Sequence, residues 1–425
     1  MERLTEAFQR YAHGTFSSLR IRNYRLYYVG QIISTTGTFM QAIAQDWLVL
    51  KLSNSGLALG AVTALQYLPI LLLGPYGGLV ADRFSKRKIL CFTQAAAGLL
   101  ALVLCGLVVT GWVQLWMVFV LAGALGVITI FDNPARQTFV IELVGEADLK
   151  NAVTLYSVMF NLCRIIGPAI AGVLIAVVGM ALCFFFNGIS YVAVIVMLLR
   201  MDPAELKVAP PPKRTKGQLR EGWRYAMSSP LLRTTLLMMA IIGTLTYEFS
   251  VSLPLLARFA FQGDAGSYAL LTASLGAGAV IGGLMIAGRR QVSGGPMVWN
   301  ALLFGAAVTA AALMPSLWLA AAALVVVGIF SISYNTLANS LLQLESSPQM
   351  RGRMMGFWSI AVLGSATFGG PLVGWVGELL GPRWALGLGG VAAIIAAGLG
   401  ARMGTQSRAS LQGRLDSQDG AQAAD

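Results

Sequence analysis

Charge is scarce in this sequence. Only 11% of its 425 residues are charged and 56% are hydrophobic, whereas soluble domains carry roughly 25% charged residues. The single histidine, His13, excludes a histidine proton relay, and the four scattered cysteines form neither a metal site nor a disulfide framework. No G-x-x-x-x-G-K-[ST] motif for direct ATP use is present. The composition is therefore that of a bilayer protein without the residue sets of a hydrolytic or metal-dependent enzyme, and no metal or cofactor is expected.

Long uncharged runs define the membrane spans. The longest cover residues 52–81, 89–131, 165–199 and 291–344, and one span needs about 20 apolar residues. Turn residues divide three of these runs, at Thr110-Gly111, at Gly179 and at Met314-Pro315-Ser316. The remaining spans are predicted at residues 26–50, 232–257, 268–288, 355–379 and 384–401. The sequence thus predicts an all-α integral membrane protein with twelve transmembrane helices.

The basic residues indicate which side faces the cytoplasm, because Lys and Arg are retained there in short loops. If the N-terminus lies inside, 26 of the 30 basic residues fall in inner segments. Only Lys51, Arg258 and Arg383 fall outside, and Arg164 lies within a span. We therefore predict a multi-pass inner (plasma) membrane protein with both termini cytoplasmic. The net charge of +12 reflects this asymmetry and does not indicate nucleic-acid binding.

The chain also resembles itself at a fixed offset. A shift of 202 residues pairs Gly126 with Gly328, and pairs Gly167 and Gly172 with Gly369 and Gly374. We predict two parallel six-helix repeats, at 25–200 and 231–402, between a cytoplasmic segment 1–24 and a cytoplasmic tail 403–425. Residues 201–230, which include Ala-Pro-Pro-Pro, form a cytoplasmic linker. Two such repeats match the plan of a secondary transporter with a binding site near the midplane.

The inner loop between spans 2 and 3 carries a signature, GLVADRFSKR from Gly78 to Arg87. It resembles the pattern G-x-L-a-D-r-x-G-r-k of the major facilitator superfamily, with Val80 and Ser85 as departures. The resemblance extends over essentially the whole chain. It implies that this loop is a cytoplasmic gate motif, formed by Gly78, Asp82, Arg83, Lys86 and Arg87. In the family the aspartate closes the inner gate by accepting hydrogen bonds at a helix N-terminus of the other half, where a carboxylate is favoured.

A second signature lies in span 5. Gly167, Pro168 and Gly172 form G-P-x-x-x-G, which resembles the motif of the family's exporters, and span 11 repeats the theme. The alternative is ordinary packing of glycine-rich membrane helices. Two further stretches, residues 22–52 and 132–143, are similar to the drug and siderophore exporter branch that contains enterobactin exporters and macrolide efflux proteins. The resemblance implies export without specifying a cargo.

Three ionisable residues lie within predicted spans, where a charge at the bilayer centre costs about 2.5 to 3.5 kcal/mol and usually has a function. Asp46 and Glu248 are candidates for proton coupling, because a buried carboxyl without a full partner holds a proton more readily. The alternative for both carboxylates is a place at the wet interface, where Asp46 would lie beside Trp47. Arg164 is an intramembrane counter-ion for a neighbouring helix or an anionic substrate. The candidates for the inner mouth of the cavity are Asp132, Asn133 and Asn335, for which helix capping is the alternative.

Together these patterns predict a transporter that exports a small amphipathic organic molecule by proton antiport and alternating access. The expected partners are this small-molecule substrate, protons and the lipid bilayer, and nothing in the sequence requires more than a monomer. The alternatives are an importer or lipid transporter of the same fold, or a receptor or scaffold that no longer transports. Intact Asp82, Arg83 and the two intramembrane carboxylates weigh against the last.

Overall fold

A computed structural model describes residues 17–207, 218–287, 293–347 and 349–422 of the chain. Within these ranges the chain is helical, and no strand occurs. His13 and the Ala-Pro-Pro-Pro stretch of the linker, for which predictions were made above, lie outside the described residues. The all-α prediction is confirmed.

The first part of the chain forms five long helices. A 3-10 turn at Ser17–Arg20 precedes α1 (Arg22–Ser53), α2 (Gly56–Arg83), α3 (Lys86–Val109), α4 (Leu115–Val177) and α5 (Ala181–Leu199), and a second turn at Pro203–Glu205 follows. The turns are set by local chemistry. Ser55 caps α2 by accepting from the backbone N–H of Ala58 at 3.0 Å, and Gly111 and Gly179 take positive φ angles between helices.

The second part contains more and shorter pieces. They are α6 (Gln218–Ser228), α7 (Pro230–Leu245), α8 (Phe249–Leu255) with a π turn at Leu256–Ala260, α9 (Ala265–Ala287), α10 (Gly294–Leu313), α11 (Leu317–Glu345), α12 (Arg351–Ser359) with a π turn at Ile360–Gly364, α13 (Ala366–Leu380) and α14 (Pro382–Gln422). Predicted spans 7 and 11 are thus each interrupted. The interruption of span 7 places Tyr247 and Glu248 between α7 and α8.

Helix α4 corrects one prediction. The fourth span was expected to end at Phe131 and to be followed by an inner loop, but the helix continues to Val144 before the chain kinks. Residues 115–144 and 146–177 are helices of about 45 and 48 Å at 1.5 Å per residue. Gly145, with φ 74° and ψ −178°, breaks it into two arms. The predicted loop residues 132–144 are therefore helical.

Ten helical segments of the described chain are long and apolar enough to cross a membrane. In this number α4 is one segment in spite of the break at Gly145. Helix α1 is not included, because its 32 residues contain polar ones such as Gln31, Ser34 and Gln41. The figure of twelve spans remains a prediction.

The predicted repeats meet through two helix pairs. Helix α2 packs along α13, and α4 packs along α9, so each pair joins residues 25–200 to residues 231–402. The contact of α2 with α13 is made of backbone: the Cβ that an alanine would add at Gly374 overlaps the carbonyl oxygen of Gly56, and one added at Gly60 overlaps that of Gly370. Absent side chains allow this approach. The domain boundaries themselves remain predictions.

The two glycine signatures make corresponding contacts. A Cβ at Gly167 would lie 2.6 Å from Cβ of Phe39 in α1, and one at Gly369 would overlap the carbonyl of Thr244 in α7. Four positions beyond Pro168 in the first signature, Gly172 faces Ala269 of α9, as Gly374 faces α2. In each signature the first glycine therefore contacts a helix of its own predicted half, and the last glycine contacts a helix of the other predicted half.

We expect Gly374→Ala to destabilise the protein, because the new methyl group must displace the backbone of α2. Overpacking of this kind typically costs about 1 to 3 kcal/mol, which a lower apparent melting temperature in detergent would show. Gly106→Ala in α3 is the matched control, because an added Cβ meets no atom within 4 Å there. Equal melting temperatures for both variants would contradict the close contact of α2 with α13.

Candidate functional site

Asp46 forms a contact between the predicted halves. Its Oδ2 accepts a hydrogen bond from the hydroxyl of Tyr268 at 2.7 Å, which joins α1 to α9. Only 8% of Asp46 is exposed. The structure therefore places this carboxylate in a buried contact, whereas the alternative reading placed it at a wet interface.

Glu248 is the least satisfied carboxylate in this region. It is 3% exposed and lies at the interruption between α7 and α8. Its carboxylate forms no hydrogen bond or ion pair with any residue in the described part of the chain. Tyr67 of α2 interacts electrostatically with both Glu248 and Asp46. The two predicted coupling residues are thus neighbours of one phenol at the meeting of the halves.

Arg164 lies close to the same region. The guanidinium interacts electrostatically with Tyr247, whose hydroxyl donates to the carbonyl of Ser331 at 3.0 Å and also bonds to Asn335. Among the described residues Arg164 has no acidic partner within ion-pair distance. Its predicted role as a counter-ion for a neighbouring helix has no support in these contacts, and the role towards a bound anion remains a prediction.

A charged pair that the sequence reading missed lies in the first arm of α4. Arg136 Nη2 contacts Asp132 Oδ2 at 2.6 Å, four residues away along the helix. Thr93 and Gln94 of α3 donate to the other oxygen, Oδ1, at 2.7 and 2.8 Å, and Arg136 also bonds to Gln31 of α1. The i, i+4 spacing of Asp132 and Arg136 was the available signal, but both had been assigned to the end of a span and to a loop.

A cavity of about 340 Å³ opens beside this pair. Asp132, Asn133 and Arg136 line it, together with residues of α1, α2, α3 and α5 and Leu363 of the second part of the chain. Gln94 lines the cavity, and its Oε1 atom is buried without a hydrogen-bond partner among the described residues. A buried acceptor without a donor is costly. Asn335, the third mouth candidate, does not line this cavity and belongs to the Tyr247 group.

The signature loop lies at the inner ends of the helices of the first half. Lys86 pairs with Glu142 of α4 at 2.9 Å. The Nε and Nη2 atoms of Arg87 donate to the carbonyl oxygens of Leu198 and Leu199 at 2.7 and 2.9 Å. These contacts join α3 to α4 and α5. Of the remaining motif residues, Gly78 and Asp82 are half-buried and Arg83 is exposed, and the action of Asp82 on the other half remains a prediction.

The structure combines helix pairs that meet at glycines, buried carboxylates between the predicted halves, and a polar cavity. These features are typical of a polytopic membrane transporter. Residues 13–417 match the family described as transmembrane secretion effector, and the chain belongs to this family of the major facilitator superfamily. The superfamily and exporter-branch resemblance is confirmed. Members of this family are membrane transporters and not enzymes.

Named relatives agree with this assignment. The chain is 25% identical over 256 residues to the staphyloferrin A transporter of Staphylococcus aureus (strain NCTC 8325 / PS 47). The aligned region covers 59% of this chain and 63% of that transporter, which is less than two thirds of its length. It is 26% identical over 313 residues to the enterobactin exporter EntS of Escherichia coli O1:K1 / APEC, covering 72% of this chain and 73% of the relative. The crystal structure of a bacterial homologue of the human lysosomal transporter Spinster shares the fold, with a TM-score of 0.70 at 15% identity, over 90% of this chain and 97% of that one.

We expect Asp132→Asn to destabilise the protein by up to about 3 kcal/mol, because it leaves the half-buried guanidinium of Arg136 without its anion. Thermal unfolding in detergent measures this loss. The double variant Asp132→Asn/Arg136→Gln should be more stable than the sum of the two single losses predicts, because no lone charge remains. Strictly additive losses would show that the pair is not coupled.

Proposed function

We propose that this protein exports a small amphipathic organic molecule in exchange for protons, by alternating access between two halves of the chain. The observation that carries the proposal is Glu248, a buried carboxylate between the halves that has no hydrogen-bond or ion-pair partner in the described part of the chain. A charge in that position is costly, so loading and releasing a proton is the chemistry that the site favours. The named relatives, an enterobactin exporter and a staphyloferrin A transporter, support export of a small molecule.

Asp46 and Glu248 divide the proton chemistry unequally. The hydroxyl of Tyr268 stabilises the charged form of Asp46, whereas Glu248 has no donor in the described part of the chain. We therefore assign the main coupling role to Glu248. Asp46 forms its hydrogen bond to Tyr268 only while α1 and α9 are in contact, because this bond breaks when the halves separate there.

The cavity and the Arg164 group favour a cargo with mixed chemistry. Asn133, which lines the cavity, offers its amide oxygen to an N–H or O–H group of the cargo. The guanidinium of Arg164, next to Tyr247, offers a site for a carboxylate or phenolate and an aromatic ring. A siderophore-like or drug-like molecule with apolar and hydrogen-bonding parts fits both.

Polar contacts join the halves near the turn between α1 and α2. The carboxylate of Glu378, near the end of α13, accepts from the hydroxyl of Ser55 and from the backbone N–H of Leu57 at the start of α2, the latter at 3.1 Å. Arg258 donates to Asn54 at 2.8 Å and lies over Trp47. These residues lie at the end that the charge asymmetry assigns to the outside. We propose that the outer side is closed in this conformation, with the termini cytoplasmic and a monomer as the working unit.

We expect Glu378→Gln to weaken this outer closure, because a carboxylate is favoured at a helix N-terminus and forms stronger hydrogen bonds than an amide. Spin labels at Trp112 and Trp318, which are exposed at the outer ends of the two halves, would report a larger population at long distance in a cysteine-free background. Glu345→Gln, at an exposed carboxylate on the opposite end, is the control. Unchanged distance distributions in Glu378→Gln would contradict an outer latch.

We expect Glu248→Gln and Asp82→Asn each to abolish efflux driven by a pH gradient. The first removes the proton site and the second removes the inner latch that the family signature implies. In everted vesicles, collapse of an imposed proton gradient would be followed on addition of a panel of macrolides and catecholate siderophores.

Membrane insertion and melting temperature must stay near those of the unchanged protein for this test to count, and Glu345→Gln should retain efflux. Normal efflux in both Glu248→Gln and Asp82→Asn would remove the proposed mechanism. Uptake in place of expulsion by right-side-out vesicles would favour an importer of the same fold.

A further inference from the structure

A second cavity lies away from the proposed transport site. It has a volume of about 670 Å³ and lies at the inner ends of α3 and α5. Its walls are the first two turns of α3, Leu199 at the end of α5, and Pro203 and Leu206 of the following segment. We call it the α3–α5 groove. None of its lining residues contributes to the cavity beside Asp132.

Among the residues that the structure describes, no acidic side chain pairs with the basic residues of the groove. Arg87 is held in place by the carbonyls of Leu198 and Leu199, and this leaves its positive charge without a carboxylate. Lys88 is exposed and has no ion pair with any residue that the structure describes. Asp202 and Glu205 belong to the neighbouring segment but do not line the groove. Lys86, one residue earlier, is by contrast neutralised by Glu142.

The apolar part of the groove lies one helical turn further along α3. Cys91 and Phe92 follow Arg87 and Lys88 by four residues, so each pair lies on one face of the helix. Phe92 is 75% exposed and Leu199 is 62% exposed, although both line the groove. A layer of positive charge therefore adjoins a layer of exposed apolar side chains.

This order, positive charge and then apolar surface, matches the order of phosphate and acyl chain in a phospholipid. The groove also lies at the end of two membrane spans, where the headgroups of one leaflet are in contact with the protein. We infer that the α3–α5 groove binds an acidic phospholipid of the inner leaflet, with its phosphate between Arg87 and Lys88 and one acyl chain along Phe92 and Leu199. Basic residues directly on the cytoplasmic side of a span attract anionic lipids in this way.

Lipid retention by the full-length protein tests this inference without any transport assay. Purified protein in detergent would be titrated with dioleoylphosphatidylglycerol or dioleoylphosphatidylcholine, and bound lipid counted by native mass spectrometry. The anionic lipid should bind more tightly. Lys88→Gln should weaken its binding about five-fold, as expected for the loss of one basic residue near the headgroup, and should leave phosphatidylcholine binding unchanged.

Two controls make the result decisive. Lys150→Gln removes an exposed basic residue of α4 outside the groove, and it should retain phosphatidylglycerol as the unchanged protein does. Phe92→Ala should weaken both lipids, because it shortens the apolar wall that both acyl chains use. The inference is overturned if both lipids bind equally, if Lys150→Gln weakens binding as much as Lys88→Gln, or if inorganic phosphate competes as well as the lipid does.

Discussion

The close approach of two helix pairs, α2 with α13 and α4 with α9, is the constraint on which the rest of the structure depends. Glycine on both sides of the first pair allows backbone to meet backbone, and such contact drives helix association in a medium where apolar burial contributes little. Because these pairs bring α1, α2, α7 and α9 together, Asp46 meets Tyr268 and both carboxylates share Tyr67 as a neighbour. The candidate site is a consequence of this packing.

The charges of the structure fall into two groups with different consequences. Lys86 with Glu142 joins α3 to α4. Asp132 and Arg136 pair within α4, and their further hydrogen bonds reach α3 and α1. Glu248 and Arg164 have no such partner among the described residues, and each lies at the meeting of the halves beside Tyr247 or Tyr67. A paired charge stabilises a fixed arrangement, whereas an unpaired one is free to respond to a proton or a ligand. We therefore place the proposed transport chemistry in the second group.

Much of the fold could be predicted from the sequence, and particular residues show why. The breaks at Gly111, Gly179 and Met314-Pro315-Ser316 were correct because their turn residues cannot continue a helix well. The prediction for α4 was wrong because Asp132 and Arg136 were treated as the end of a span. Two charges four residues apart neutralise each other on one helix face, so the helix accepts them and continues to Gly145.

The sequence by itself determined that the chain lies in a membrane and is helical, and it contains the family signature at Asp82 and the glycine motifs. Each of these follows from composition or from residues that are close together in the chain. Only the tertiary structure decided which charges are paired. Asp46 and Tyr268 are separated by more than 200 positions, and so are Ser55 and Glu378. Contacts over such separations are fixed by how whole helices pack, and a linear pattern of residues does not record that geometry.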